Sequence, residues 1–429
     1  MNIIPRDQHC VSRKDISPNA LKVMSRLRQT NHQAYLVGGA VRDLLLGGRP
    51  KDFDVATSAT PEEVNALFRN SRIIGRRFRI VHVRFGREII EVTTFRGHHD
   101  SDDGTTSQTA QRSDKGLLLR DNVFGTLEED AIRRDLTVNA LYYDSGSFEV
   151  FDHAGGMEDL EDEQIRVIGD AAQRYREDPV RMLRTLRFAA KLNFGIARTS
   201  AEPIPELAHL LEEVPSARLF DEFGKLFLAG NAQTTLELMQ SNQVFEHLFP
   251  DSARLAEQDP FYARLLDDAM FNTDERIRQG KPVTPAFILA AILWPAVCER
   301  RAQLESQGEA AVPAMHGAGQ EVVAKACQRV AIPKRFSMPM REIWEMQSRL
   351  TRTQGKRVIE LMGKRRFRAA YDFLLLREQA GEDCNGLGKI WTDLQIEHGP
   401  IEVTEVSSDD DHRPKRRRRG GRRRQAPTP

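Results

Sequence analysis

The chain has 429 residues, 40% of them hydrophobic, and a formal net charge of +1. That length predicts two to four subdomains; no apolar run approaches the ~20 residues that span a bilayer, and Met1 to Lys14 lacks the apolar stretch of a secretory signal, so a cytoplasmic location is expected. Cys10, Cys298, Cys327 and Cys384 lie far apart without a CxxC pair, which argues against a zinc ribbon or a disulfide framework. The charge is unevenly spread: residues 412–429 hold nine Lys/Arg and no Asp/Glu, so the remainder is net acidic. Polyanion binding would therefore rest on local patches and this tail.

In chain order, Ile16, Ala20, Val23, Met24 and Leu27 recur at helical spacing. A strand is predicted over Ala34–Val37, then a Gly38-Gly39 turn, a helix over Ala40–Leu46 and a short strand through Lys51-Asp52-Phe53-Asp54-Val55. Pro61 suits the first turn of a helix reaching about Arg69. Segments 78–85 and 88–95 resemble a hairpin around Gly86. Residues 98–116 are polar and rich in Gly, Ser and Thr, predicting a mobile loop or flap. A helix is predicted over 128–143 and a strand over Phe148–Phe151. Beyond about residue 156 the pattern is helical, with amphipathic stretches at 178–192, 217–229, 285–297, 341–352 and 366–379 and no strand series. The layout is α+β at the front and all-α behind. Residues 400–429 are Ser/Asp-rich and then Arg-rich, a composition that cannot bury enough apolar surface to fold, and are expected to be disordered.

Strand alternation would place Asp52 and Asp54 on one side with Phe53 buried on the other. Two carboxylates there can share Mg²⁺. Alone, such a pair is more often a turn or a solvated strand end, but Gly38-Gly39 opening a helix can aim backbone N–H groups at phosphates, with Arg42 in its first turn. Together they point to metal-dependent chemistry on a nucleoside triphosphate. A two-metal site usually needs a third carboxylate, and Asp135 in Arg133-Arg134-Asp135 is the candidate, against an ordinary helix-surface ion pair; Glu128, Glu129 and Asp130 read as solvated. In Asp178-Pro179-Val180-Arg181, Asp178 lies near a helix N-cap, with Arg181, Arg184 and Arg187 along one face. A carboxylate accepts hydrogen bonds and a guanidinium donates them. An Asp178/Arg181 pair would therefore suit adenine or cytosine, which present an amino donor beside a ring acceptor, and reject guanine and uracil; it would not separate A from C.

His98-His99-Asp100 has no further ligand at metal spacing and reads as flap or RNA contact, and His82 as structural. Lys334, Arg335, Lys356, Arg357, Lys364, Arg365 and Arg366 interleave with Phe336, Trp344 and Phe367. Runs of this kind are mostly solvated faces, yet their density in an acidic body suggests phosphate contacts along an RNA path. Arg416, Arg417, Arg418 and Arg419 in the tail would bind RNA without sequence preference.

Four segments carry a resemblance: LVGGAVRDLLLG (36–47), KDFDVAT (51–57), RRDLTVNALYYD (133–144) and YREDPVRMLRTLRFAAKL (175–192). They resemble the ordered motifs of the class II polymerase-β-type nucleotidyltransferases, which include bacterial poly(A) polymerases and CCA-adding tRNA nucleotidyltransferases. The lead at 4–24, GRRFRIVHVRFGREIIEVTTFRGHH, IPKRF, QGKRVIELMGKRRFRAAYDFLLLRE and the Arg-rich tail are more similar to the poly(A) polymerase branch. The resemblance implies a small mixed α/β head with a polymerase-β-like sheet (34–155) after an N-terminal lead and helix (1–33). A helical neck (156–245), a helical body with the RNA-binding region (246–399) and the tail (400–429) would follow. It implies Asp52 and Asp54 as metal ligands and Asp135 as third catalytic carboxylate. Gly38, Gly39, Arg42 and Arg134 would hold the nucleotide phosphates or sugar, and Asp178 and Arg181, with Arg184 and Arg187 following, would read the base. The expected activity is template-independent transfer of AMP from ATP to RNA 3′ ends, with two Mg²⁺ ions and pyrophosphate release, feeding RNA decay. The alternatives are CCA addition to tRNA and an inactive RNA-binding adaptor. A monomer is expected, with RNA and possible RNA-decay or chaperone proteins as partners, and no DNA.

Overall fold

The computed structural model describes residues 1–75, 79–97, 110–112, 118–121 and 123–399. The strands are β1 (Asn2–Ile4), β2 (Ala34–Val37), β3 (Asp54–Thr57), β4 (Ser71–Ile74), β5 (Ile80–Phe85), β6 (Glu88–Thr94), β7 (Ala110–Arg112), β8 (Leu118–Asp121), β9 (Leu141–Tyr143) and β10 (Val150–Asp152). Eight of them form one sheet in the order β1-β10-β9-β2-β3-β6-β5-β4. Only β3 and β6 pair parallel within it, so the sheet is mixed. Helices α1 (Pro18–Gln29), α2 (Gly39–Leu45), α3 (Pro61–Leu67) and α4 (Leu127–Arg133) complete the head.

Local chemistry sets these boundaries. Ser17 Oγ accepts the Asn19 and Ala20 N–H groups, and Pro18 occupies the first turn of α1, which buries Ala20, Val23, Met24 and Leu27. Thr60 with Glu63 and Thr126 with Glu129 form reciprocal capping boxes on α3 and α4. The sheet separates two apolar layers by strand alternation. Leu36, Val55 and Val92 face the main core with α1, while Tyr35, Val37, Ala56, Phe95 and Tyr142 face a smaller cluster with Ala131 of α4.

The helix expected over 128–143 is not continuous. It stops at Arg133, a 3₁₀ turn spans Thr137–Asn139, and Leu141–Tyr143 enters the sheet between β2 and β10. Sheet pairing overrides the helical spacing of Leu136, Ala140 and Leu141. Of the 98–116 segment only Ala110–Arg112 is described, as a strand antiparallel to β8; His98, His99 and Asp100 lie outside the described residues, as do residues 400–429 with Arg416–Arg419.

Past the head come α5 (Gly156–Glu161), α6 (Ala171–Glu177), α7 (Val180–Leu192), α8 (Arg198–Ala201), α9 (Pro203–Leu207) and α10 (Ser216–Phe227). Two short strands not expected from the sequence, β11 (Gln164–Ile165) and β12 (Gly195–Ile196), pair parallel among them. The rest is helical: α11 (Ala232–Ser241), α12 (Phe245–Leu248), α13 (Pro250–Gln258), α14 (Pro260–Arg278) and α15 (Pro285–Ser306). α16 (Ala311–Arg329), α17 (Lys334–Leu350), α18 (Lys356–Met362), α19 (Phe367–Gln379) and α20 (Leu387–His398) follow. No helix among the described residues is long and apolar enough to cross a membrane. The buried Asp152 caps the start of α5: its carboxylate accepts the N–H groups of Ala154, Gly155, Gly156 and Met157 at 2.9–3.0 Å. Gly156 is needed there, because a Cβ would lie 2.3 Å from the Thr137 carbonyl oxygen. One apolar core runs from Ile4 to Ala380, and a second gathers Leu350, Phe367, Leu374 and Trp391.

Candidate active site

Residues in register across neighbouring strands share a face of the sheet. Asp54 on β3 is in register with Glu91 on β6, and Glu91 with His82 on β5. The three therefore stand in a row on the face that α4 covers. Asp52 precedes the strand and is exposed, and Phe53 is buried as expected. Burial first, then the nearby Glu91 and Asp52 charges, push the Asp54 carboxyl up to about 6, against the opposing pull of Arg134. A buried carboxylate crowded by two others lacks sufficient compensating positive charge. An oxygen-only set of this kind fits a hard divalent cation such as Mg²⁺. The carboxylates are not drawn into a ready-made cage: no group of three His, Cys, Asp or Glu among the described residues is close enough to hold a metal. A cleft of about 760 Å³ opens over Lys51, Asp52, Asp54, His82, Arg87 and Glu91.

On the other side of β3 lies the glycine turn. Gly38 has φ of 75°, a conformation that favours glycine. A Cβ there would sit 3.9 Å from Arg134 Nη1, so the Arg134 guanidinium lies against the turn. Arg134 donates to Asp130 Oδ2 at 2.9 Å and to the Tyr142 hydroxyl at 2.7 Å. Burial alone would lower its pKa, but the Tyr142 and Asp130 partners more than offset this and raise it. Asp130, expected to be solvated, is buried and accepts from Arg134, Tyr142 and the Arg96 N–H. Arg42 departs from expectation. It is 1% exposed and donates to Asp43 and to Asn139 Oδ1 at 2.6 Å, under the ring of Phe188, so it braces the turn from inside rather than facing the cleft.

Asp135 is engaged by an arginine of α7. Its carboxylate lies 2.7 Å from Arg184 Nη2, and the charges of Arg184 and Arg181 overcome burial to hold its pKa below the usual range. The charges acting on Asp54 are those of Glu91, Arg134 and Asp52. The carboxylate beside Asp54 is Glu91, missed because the parallel β3–β6 register alone makes the contact; the alternation of β6 was its sequence signal.

Asp178 and Arg181 are near in sequence, yet each is paired elsewhere. Asp178 accepts a two-pronged bond from Arg218 of α10, at 2.7 Å on each oxygen. Arg181 donates to Glu177 Oε2 at 3.0 Å and to the Arg174 carbonyl at 2.9 Å. Arg187 lies 3.7 Å from Glu222 of α10, and burial lowers its pKa. Arg181, Arg184 and Arg187 thus each meet a different acid. Arg218 and Glu222 were not singled out from the sequence, because helix packing alone brings α10 to α7.

Of the candidate RNA contacts, Lys334, Arg335, Lys356, Arg357, Lys364 and Arg365 are exposed, while Arg366 pairs with Glu342 at 3.0 Å. Of the interleaved aromatics, Phe336 lies under the Arg335 guanidinium at 4.9 Å. Trp344 and Phe367 are core residues, and Phe336 packs on Phe220.

Three family models match: "Poly A polymerase head domain" over residues 34–166, "Probable RNA and SrmB-binding site of polymerase A" over 193–255 and "Polymerase A arginine-rich C-terminus" over 307–425. The poly(A) polymerase I of Salmonella typhimurium is 50% identical over 93% of this chain and 87% of its own length. A CCA-adding enzyme of Bacillus pumilus is 36% identical over 54% of each chain. Among solved structures, the Thermotoga maritima CCA-adding enzyme complexed with tRNA has the same fold, with a TM-score of 0.61 at 18% identity over 92% of this chain and 86% of that one. The extent of the first match sets the branch: the chain belongs to the poly(A) polymerase I family of nucleotidyltransferases.

Proposed function

We infer that this chain is a template-independent poly(A) polymerase that adds AMP from ATP to RNA 3′ ends and releases pyrophosphate. The observation that carries the reading is 50% identity to poly(A) polymerase I over 93% of the chain. The carboxylate row beside a glycine turn supplies chemistry consistent with it. Asp52, Asp54 and Glu91 would hold Mg²⁺, two ions in all, with Glu91 in the place expected for Asp135. When bound, the metal supplies positive charge for the α-phosphate oxygens and lowers the pKa of the attacking hydroxyl.

The protein's own groups do the rest. The Gly38-Gly39 turn and Arg134 hold the triphosphate, with Arg42 fixing the turn from beneath. Asp178 accepts the adenine amino hydrogen, and Arg181 donates to the ring nitrogen beside it. A carboxylate oxygen carries two lone pairs, so Asp178 can accept a further hydrogen beside those of Arg218. The RNA 3′-oxygen bonds to the α-phosphorus, the bond to pyrophosphate breaks, and a cleft carboxylate passes the hydroxyl proton to solvent. The exposed cations between Lys334 and Arg365 and the Arg-rich tail hold RNA, and polyadenylation in the cytoplasm feeds RNA decay.

Incubation with generic RNA and with tRNA lacking its 3′ terminus, each with ATP or CTP, tests this reading. AMP incorporation into both RNAs is expected. Efficient CMP incorporation into the tRNA would favour CCA addition, and absence of Mg²⁺-dependent pyrophosphate release would favour an inactive adaptor.

A further inference from the structure

We propose that the cleft between the carboxylate row and the β5–β6 turn is the subsite for the last nucleotide of the RNA acceptor; this rests on the polymerase reading above. The order of groups along the sheet carries it. The glycine turn and Arg134 stand on the β2 side of Asp54, and Glu91 and His82 on the opposite, β6–β5 side. In phosphoryl and nucleotidyl transfer the attacking and leaving oxygens lie roughly in line across phosphorus. A triphosphate held on the β2 side presents its leaving group there, so the attacking hydroxyl enters from the β6 side.

That side is where the cleft lies. Its volume, about 760 Å³, falls within the roughly 300–1,000 Å³ of small-ligand sites. None of Gly38, Gly39, Arg134, Asp178 or Arg181 lines it. Its far wall is suited to a ribonucleotide. Arg87 is exposed and has no ion-pair partner among the described residues, so it can take a backbone phosphate. Ile89 is 37% exposed and offers an apolar surface to the sugar or base. His82 Nε2 is buried 3.2 Å from Glu91 Oε1 and backs the carboxylate on this side of the cleft. The turn is held in place, because Glu88 accepts from Ser17 Oγ and Asn19 Nδ2 at the start of α1. That anchor leaves Arg87 and Ile89, on either side of it, facing outward.

Two measurements on the full chain test the subsite. An RNA oligonucleotide with 4-thiouridine as its 3′-terminal nucleotide should, on irradiation, crosslink within residues 82–89. Arg87→Ala should raise KM for the RNA about tenfold, the loss of one charged hydrogen bond, while KM for ATP stays within about twofold. Crosslinks confined to the helices bearing Lys334 to Arg366, or an Arg87→Ala enzyme with unchanged KM for RNA or with both KM values raised equally, would overturn the proposal. AMP incorporation by the unaltered protein is scored separately. Its absence with the crosslink intact would remove the polymerase reading and leave an RNA-end site.

Discussion

The two ends of the candidate site are electrostatic opposites. At the carboxylate row, Asp54 is crowded by Glu91 and Asp52, and its carboxyl is pushed up to about 6. Along α7 and at the Asp178 that precedes it, each charged group has an internal counter-ion: Asp178 has Arg218, Arg181 has Glu177, Arg184 has Asp135, Arg187 has Glu222 and Lys191 has Asp43. The first end carries excess negative charge that Arg134 offsets only in part. The second is balanced, and on the reading proposed above would bind a base by adding bonds to groups already held in place. A lost side chain should therefore remove chemistry at the first end, and affinity or stability at the second.

The largest effect expected is at the first end. Asp54→Asn should lower AMP incorporation by about 10³-fold or more, with RNA binding retained in a gel-shift assay. Normal turnover would break the comparison at once. Next, Glu91→Gln and Asp135→Asn should separate. Glu91→Gln should cost about 10²-fold in kcat with little change in melting temperature. Asp135→Asn should instead destabilise by about 1–3 kcal/mol, since it strands Arg184 in a partly exposed ion pair. If the rate loss followed Asp135 and the stability loss Glu91, the third carboxylate would be Asp135 after all. Smaller again, Arg218→Ala should raise KM for ATP about tenfold with kcat less affected, by freeing Asp178 to rotate.

The smallest effect is on pH dependence. Asp54 has a folded-state pKa raised to about 6, against about 3.9 for an ordinary aspartate. The unfolded chain therefore releases this proton first, and stability falls as pH rises through that window and stays lower above it. In chelator-treated protein, Asp54→Asn should raise the melting temperature at pH 8 by the equivalent of about 1–3 kcal/mol, and change it little at pH 4. Mg²⁺ should reduce that difference.

What was legible in the sequence follows from how locally each feature is determined. Gly38-Gly39 and the Asp52/Asp54 pair were legible because a turn and a two-residue alternation need no distant partner. The α+β front and helical rear followed from periodicity and are as expected. The strand Leu141–Tyr143 was read as helix because its place is set by β2 and β10, not by its own residues. Glu91 and Arg218 were missed for the same reason, one brought in by strand register and the other by helix packing. An arginine in a helix's first turn usually reaches solvent, so from sequence Arg42 reads as a phosphate ligand. Here Asn139 and Phe188 enclose it.

The Asp152 carboxylate, with its four N–H partners at the start of α5, bears on how the enzyme could move. Tilting α5 against β10 would have to break charge-assisted bonds, each of about 1.5–3 kcal/mol, and Gly156 is already packed against Thr137. The corner is an elbow set in plaster, so any swing of the head against the later helices has to bend at a point beyond it.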